Sequence, residues 1–488
     1  MKKYLFELIV FFSGAIVMIL EVVGSRVLAP YLGTSIFIWT SLIGIILASL
    51  SLGYYLGGRL SDRSPSLDVL ATILFFAAIL IGITTYVKTP FLNFLLSQTS
   101  DLKLGSVIAT VVLFALPSTL LGMVSPYCIK LRLKSLTTSG STVGNLYAIS
   151  TIGSIAGTFC AGFYLIPLLG TTTILFLLAI TLMILSIVAY AKNQFFLRTA
   201  ILFGLIVLAY TYESHSNIIE VDTKYNKVWI YSQKPHDTSR EKKIMQVNRQ
   251  KASTVYTDTK STASAYVKYF DLAKFFKQDV NKALILGGAG YEYPRHFLTT
   301  FPDATIDVVE IDPKLTNLAR KHFYLKDNPR LSIHHMDGRI FLNQMQQQYD
   351  VIYGNAFNSV ASVPYHLTTL EAARQMKGGL KQGGVACINV VSSLEGAKSK
   401  FFRAEYKTFK AVFNHIYLFP VQYPDDPKKI QNIIIFALKG KPPESLTSKS
   451  PKFQKYLDHY WNEPIETDLP VLTDNHAPVD YYLDDITE

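Results

Sequence analysis

The sequence predicts an N-terminal all-α transmembrane bundle followed by a C-terminal α/β domain with a mostly parallel sheet. Three observations carry that prediction. The 488 residues are 49% hydrophobic, with a mean hydropathy of +0.24, and the apolar residues concentrate in 1–212. Beyond residue 212, short apolar runs alternate with amphipathic segments at the rhythm of β-α-β units. Within that stretch, residues 283–312 read ALILGGAGYEYPRHFLTTFPDATIDVVEID. That is an apolar run, a glycine turn, a helical segment and a second apolar run ending in an acid.

Runs approaching or exceeding the roughly 20 residues that cross a bilayer as a helix are Leu5–Ala29, Ile36–Leu56, Val69–Val87, Val107–Ile129, Leu146–Leu169 and Thr172–Tyr190, with Thr199–Tyr212 weaker. The bundle therefore has about seven helices by this reading. The first run shows no short hydrophobic region with a small-residue cleavage site, and further spans follow it, so it reads as a span and not a cleavable signal. The last is the weakest, because Arg198 interrupts it and leaves about 14 apolar residues.

The net charge of +11 does not point to nucleic acid. Residues 1–212 carry 12 Lys+Arg against 5 Asp+Glu, leaving 35 against 31 for the remainder. The excess sits in membrane loops, where cations set topology. Lys2/Lys3, Arg59/Arg63, Lys130/Arg132/Lys134 and Lys192/Arg198 fall in alternate loops, while the intervening loops hold only Lys88 and Lys103. The N-terminus is expected in the cytoplasm. Seven spans would then place the second half outside, whereas a cofactor made in the cell would require it inside; the sequence leaves both open. Cys128, Cys160 and Cys387 are far apart and suggest neither a metal site nor a disulfide framework.

In the bundle, Gly53 with Gly57, Gly153 with Gly157, and Ser150 with Ser154 put small residues on one helix face, where helices approach closely. Glu21 sits about two-thirds along the first span, where a carboxylate is costly and usually partnered. Arg26 is the expected partner, in a structural ion pair or in a polar site facing the bundle interior.

The second half opens with strand-like Ile218–Asp222 and Lys227–Ser232, and the α/β rhythm runs through helix Pro313–His322, strand Leu331–His335, strand Tyr349–Tyr353, helix Thr369–Lys377 and strand Val385–Val390. Ligands of such sheets bind beyond the C-terminal strand ends. Gly287, Gly288 and Gly290, then Glu310, Asp337 with Gly338, and Asn355 fall at four successive strand ends. An acid about 20 residues past a glycine turn is the spacing of a nucleoside site, the glycines allowing close backbone approach and the carboxylate holding ribose hydroxyls. The boundaries read 1–212 for the helical domain, 213–280 for a β-rich part, 281–440 for the nucleoside-binding α/β domain and 441–488 for a tail.

The order GG.G….PR, VEID, DGR, YDVIYGNAF and P.HL resembles the spermidine synthase type of polyamine aminopropyltransferase, which has the Rossmann-like class I methyltransferase fold. LEVVGSRVLAPYLGTSIFIWTSLIG, SLGYYLGGRLSDR and LTDNHAPVDYYL resemble membrane-fused spermidine synthase-like proteins of bacteria. The resemblance implies an integral protein of a bacterial-type plasma membrane, with the lipid bilayer and a small-molecule amine or other acceptor as partners and no nucleic acid. It allows a homodimer. S-adenosylmethionine or its decarboxylated form is the implied co-substrate, with no metal. Gly287, Gly288 and Gly290 would approach its methionine-derived part, Glu310 its ribose and Asp337 its adenine amino group. A helix cap before Gly338 is a compatible second role for Asp337.

The acceptor half departs from the family. Two acids that bind the diamine and help deprotonate the attacking amine are replaced by Asn355 and Asn358. Gly290 replaces an aspartate of the glycine loop, and the DG..Q turn reads Asn248-Arg249-Gln250-Lys251-Ala252. An amide orients an amine but neither takes its proton nor offsets its charge. Glu292 is the best replacement carboxylate, its alternative being a first-turn acid stabilised by the helix dipole. Tyr293 shares its loop, His366 reads as a loop histidine, and Tyr423 resembles a family pocket tyrosine. Three functions remain open: a spermidine synthase-like transferase with an altered acceptor site, a non-catalytic nucleoside or polyamine sensor regulating the bundle, and a methyltransferase on a membrane-associated substrate.

Overall fold

The computed structural model describes residues 4–99, 101–133, 135, 138–189, 195–211, 218–234, 240–248, 250–356 and 363–487. The chain forms two compact units, Met1–Asn217 with Val221–Lys224, and Ile218–Glu220 with Tyr225–Glu488.

In the first unit, six helices are long and apolar enough to cross a membrane: α1 (Leu5–Leu32), α2 (Ile36–Arg63), α3 (Leu67–Gln98), α4 (Leu102–Arg132), α5 (Ser139–Leu168) and α6 (Thr171–Ala189). The seventh, α7 (Phe195–Thr211), has 17 residues. Small residues bring these helices together. A Cβ on Gly53 would lie 2.2 Å from the Thr119 carbonyl of α4, and one on Gly153 would lie 2.1 Å from the Phe11 carbonyl of α1. Ser154 adds a hydrogen bond to the Gly14 carbonyl at 3.2 Å.

Two sequence expectations for charged residues need correction. Arg198 does not break α7. Its guanidinium is 1% exposed, donates to Ser186 at 2.6 Å and Thr72 at 3.2 Å, and stacks 5.0 Å from the Phe75 ring. Tertiary partners on α3 and α6 satisfy a cation that hydropathy alone counts as an interruption. Glu21 and Arg26 do not pair: Arg26 donates to the Lys224 carbonyl, and Glu21 has no partner among the described residues. Five residues along a helix set two side chains roughly 140° apart at 3.6 residues per turn.

The ends of the bundle are identifiable from polar contacts. Glu7 pairs with Arg132 at 3.1 Å and Lys130 with Asp62 at 2.6 Å, so the start of α1 and the ends of α2 and α4 share a basic end. Arg198, against the start of α3 and the end of α6, begins α7 at that same end. Leu205 then packs on Gly82, midway along α3. Val221–Lys224 return at the opposite end, where the Asp222 carboxylate accepts from the Thr171 N–H at 2.9 Å and Lys88 donates to Thr172 at 2.7 Å. α7 therefore follows the bundle from its basic end towards the other.

The second unit carries two sheets. Strands β1 (Ile219–Asp222), β2 (Lys227–Gln233), β3 (Lys242–Val247) and β4 (Gln250–Tyr256) form one in sequence order. The other is seven-stranded, with β5 (Lys282–Leu286), β6 (Thr305–Val309), β7 (Leu331–His334), β8 (Tyr349–Gly354), β9 (Leu380–Ser392), β10 (His415–Pro420) and β11 (Gln431–Leu438) in the order β10-β11-β9-β8-β5-β6-β7. β5 to β9 pair in parallel, and β11 runs antiparallel between β9 and β10. Nearly continuous apolar strands such as Ala283–Leu286 are buried because helices cover the sheet. Leu472, Val479 and Leu483 join the same hydrophobic cluster as Leu284, Ile352 and Ile388, so the last segment of the chain is part of this core.

Candidate functional site

Four strand ends converge as the sequence predicts. Gly287 to Gly290 follow β5, Glu310 follows β6, Asp337 follows β7 and Asn355 follows β8. The turn is tight. Gly287 has φ 94°, and Ala289 and Tyr291 adopt the left-handed region at 44° and 56°, a backbone conformation that costs on the order of 1 kcal/mol for a side-chain-bearing residue. A Cβ on Gly287 would meet the Asn355 carbonyl at 2.5 Å, and one on Gly290 would meet the Ser253 Cβ at 2.6 Å. Glycine is thus needed where the turn meets β8 and β4.

Glu310 is 6% exposed. Its carboxylate accepts from the backbone N–H groups of Gly288 (2.9 Å), Ala289 (2.8 Å) and Asp312 (3.0 Å). Burial pushes its pKa up, and these three donors pull against that shift. A carboxylate offers about four lone-pair sites, so an acceptor site remains for a hydroxyl. The arrangement fits a ribose. Asp337 caps helix Gly338–Gln344 through the N–H groups of Arg339 (2.8 Å) and Ile340 (3.1 Å), and its second oxygen meets His366 Nε2 at 3.2 Å. The expected cap is present, and His366 positions this acid.

Glu292 stands in the first turn of helix Glu292–Thr300, as the second of the two sequence readings has it, and it acts as a brace. It is 3% exposed and accepts from the Thr254 (2.8 Å), Ala263 (3.0 Å) and Ser264 (2.9 Å) N–H groups, the Ser264 hydroxyl (2.7 Å) and the Thr262 hydroxyl. All its lone pairs are engaged, which ties β4 and the following loop to the glycine turn. Tyr293 is buried in an aromatic cluster with Phe270 and Tyr353.

Beside Asn355, where the sequence reading places the acceptor, lies a cavity of ≈280 Å³. Asn355 and Asn389 stand on its wall with Tyr266, Gln250, Lys251, Gln422 and Asn432. Asn355 donates to the Tyr266 hydroxyl at 3.3 Å and accepts from Asn389 at 3.1 Å; Asn389 accepts from Asn432 at 2.9 Å, and Asn432 from Gln422 at 2.7 Å. Gln250 Oε1 is buried and has no hydrogen-bond partner among the described residues. Among the described lining residues Lys251 alone is charged. Asn358 and Arg249 lie outside the described residues. Tyr423 is 45% exposed, and its neighbour Gln422 takes the wall position.

A family model, the spermine/spermidine synthase domain, matches residues 268–446. A polyamine aminopropyltransferase of Vibrio vulnificus (strain CMCP6) is 26% identical over 234 residues, covering 44% of this chain and 73% of the relative. Polyamine aminopropyltransferase 2 of Aquifex aeolicus (strain VF5) is 22% identical over 438 residues, covering 86% of this chain and 85% of the relative, so that likeness extends into the helical half. The crystal structure of a probable spermidine synthase from Corynebacterium glutamicum ATCC 13032 is 20% identical, covers 49% of this chain and 85% of its own, and superposes with a TM-score of 0.42.

The second unit also holds site features that sequence reasoning did not single out. Asn389, Asn432, Gln422 and Tyr266 reach the cavity from four separate segments, and no local spacing announces them. Glu405, on helix Lys400–Lys410, lines a recess of ≈30 Å³ with Leu286, Gly354, Ala356 and Leu367. It is 3% exposed, its Oε2 has no partner among the described residues, and burial pushes its pKa up to about 8.

Proposed function

We propose that the second half binds an adenosine sulfonium, S-adenosylmethionine or its decarboxylated form, and serves as a membrane-anchored transferase whose acceptor site departs from the polyamine pattern. The observation that carries this is the contrast at the strand ends: Glu310 and Asp337 are retained, while the described wall beside Asn355 is built of neutral amides. In such a transfer the acceptor's lone pair forms the new bond to the carbon beside sulfur, the C–S electron pair returns to sulfur, and the acceptor's proton leaves to solvent. Asn355 and Tyr266 would orient the acceptor. Neither takes its proton near neutral pH. Burial moves the Tyr266 hydroxyl further up from its ordinary value. Catalysis would then rest on placing an uncharged nucleophile in line. In this reading the partners are the bilayer and a small-molecule acceptor.

The test is to incubate the full-length protein in detergent with each labelled donor and identify the moiety that leaves. Release of an aminopropyl or a methyl group to an acceptor other than putrescine is expected. Spermidine formed from putrescine at about 1 per second or faster, an ordinary enzyme rate, would refute the altered acceptor site.

A second reading, a non-catalytic sensor, is favoured by one observation. α7 follows the bundle away from its basic end, and Asp222 and Arg26 hold Val221–Lys224 at the opposite end. With basic loops in the cytoplasm, that path supports an extracytoplasmic second half, out of reach of a cytosolic donor. Reporter fusions after Lys134 and after Glu488 test it: opposite sides support the sensor or a donor delivered from outside, and the same side removes the argument for it.

A further inference from the structure

The acceptor cavity does not end at the amide wall. A second hollow of ≈310 Å³ shares Lys251 and Thr254 with it and is lined further by Gln233, Lys242, Ile244 and Ala263. The two spaces therefore meet along one stretch of β4. Their described linings contain two lysines, Lys242 and Lys251, and no aspartate or glutamate. In sequence, the stretch 357–362, FNSVAS, carries no acid, and 235–239, PHDTS, carries one, Asp237. Neither lysine has a carboxylate partner among the described residues. Lys242 lies over the Tyr256 ring, with Nζ 5.5 Å from its centroid. At the inner end the chemistry is different. The Tyr266–Asn355–Asn389 chain offers neutral donors and acceptors.

A diamine would place its inner nitrogen well here but would bring its outer ammonium against Lys251 and Lys242, a like-charge contact with no carboxylate among the described lining residues to offset it. A ligand whose inner end is an amine or hydroxyl and whose outer end is an anion matches both ends. We propose that the site takes a small acceptor with a nucleophilic amino or hydroxyl group at the amide wall and a carboxylate or phosphate on Lys251 and Lys242. This deepens the transferase reading by naming its substrate class and rests on that reading.

Full-length protein in nanodiscs, first saturated with methylthioadenosine, is titrated calorimetrically with 4-aminobutanoate, 4-amino-1-butanol and 1,4-diaminobutane. These probes share an amino end and differ at the outer one. The expected order is aminobutanoate tightest, the alcohol next and the diamine weakest, with aminobutanoate at least about tenfold tighter than the diamine, the scale of one hydrogen bond to a charged group. O-phosphoethanolamine replaces aminobutanoate in a parallel arm, and the tighter of the two identifies the anion. Lys251→Glu should invert the order, and Lys251→Gln should abolish the preference. Diamine binding as tight as or tighter than aminobutanoate in the wild type, or no binding of any probe, would overturn the proposal. Methylthioadenosine binding is measured in the same samples, so failure of the nucleoside half is seen separately.

Discussion

The two halves of the site solve the placement of polar groups in opposite ways. On the nucleoside side, carboxylates are held by backbone N–H groups: buried Glu310 by three and half-buried Asp337 by two with a histidine behind it. On the acceptor side, side-chain amides hold one another from Asn355 to Gln422. Backbone donors fix a charge in a position set by the turn, so the first half is rigid and local. An amide chain is neutral and depends on residues far apart in sequence, so one substitution can recast what it binds.

The largest expected effect tests whether Glu292 belongs to the chemistry or to the frame. Glu292→Ala leaves buried donors from Thr254, Ala263 and Ser264 without an acceptor, and each unsatisfied group costs about 1–3 kcal/mol. A loss of about 4 kcal/mol or more should appear as a large drop in the thermal midpoint of the full-length protein. A variant that keeps its midpoint and loses turnover would return Glu292 to the list of bases.

Next in size is a pH effect behind the nucleoside half. Glu405 has its folded pKa raised to about 8, whereas in the unfolded chain it titrates near 4.3. Between these values the unfolded state is ionised and the folded state keeps its proton. Stability therefore falls as pH rises through that window, by about 1.4 kcal/mol per pH unit, and is flat above it. Glu405→Met should remove this slope and raise stability at pH 8 above the wild type. Denaturant midpoints at pH 5, 6.5 and 8 measure it, and an unchanged slope would show that Glu405 is ionised in the folded protein.

Glu310→Ala should weaken methylthioadenosine binding by about 1.5–3 kcal/mol, the scale of a hydrogen bond to a charged group. Titration calorimetry measures the change. An unaffected dissociation constant would mean that the three N–H contacts are the whole of Glu310's role.

How much of this was legible in sequence follows the same local and distant divide. Gly287, Glu310, Asp337 and Asn355 could be placed because apolar strands of period and length suited to a parallel sheet end at each, and turn chemistry marks the exits. The helix Pro313–His322 matched to the residue, since Asp312 caps it and proline opens it. The two readings of Glu292 could not be separated in sequence because its partners sit 28 to 38 residues upstream, and a first-turn acid looks the same whether it faces ligand or loop. Arg198 was misread as an interruption because its partners on α3 and α6 are tertiary. The amide wall was half visible: Asn355 could be read as a replaced acid, but Asn389, Asn432 and Gln422 join it only through β9 and the antiparallel β11.

The smallest effect is the most direct probe of the contrast. Asn355 lies between Tyr266 and Asn389, donating to one and accepting from the other. In Asn355→Asp the second oxygen can accept from the Tyr266 hydroxyl, which rotates to donate, while the bond from Asn389 stays. The change is isosteric, so the fold should be kept and the wall should gain one negative charge. If neutrality is what excludes diamines, the affinity for 1,4-diaminobutane should rise by about tenfold, near 1.4 kcal/mol, and fall again in salt as an exposed charge pair is screened. Adding Asn358→Asp should raise it further. The same titration should leave methylthioadenosine binding unchanged, because Glu310 and Asp337 are untouched. No gain in diamine affinity from either variant would show that the lysines at the outer end, and not the amides at the inner one, set what the acceptor site refuses.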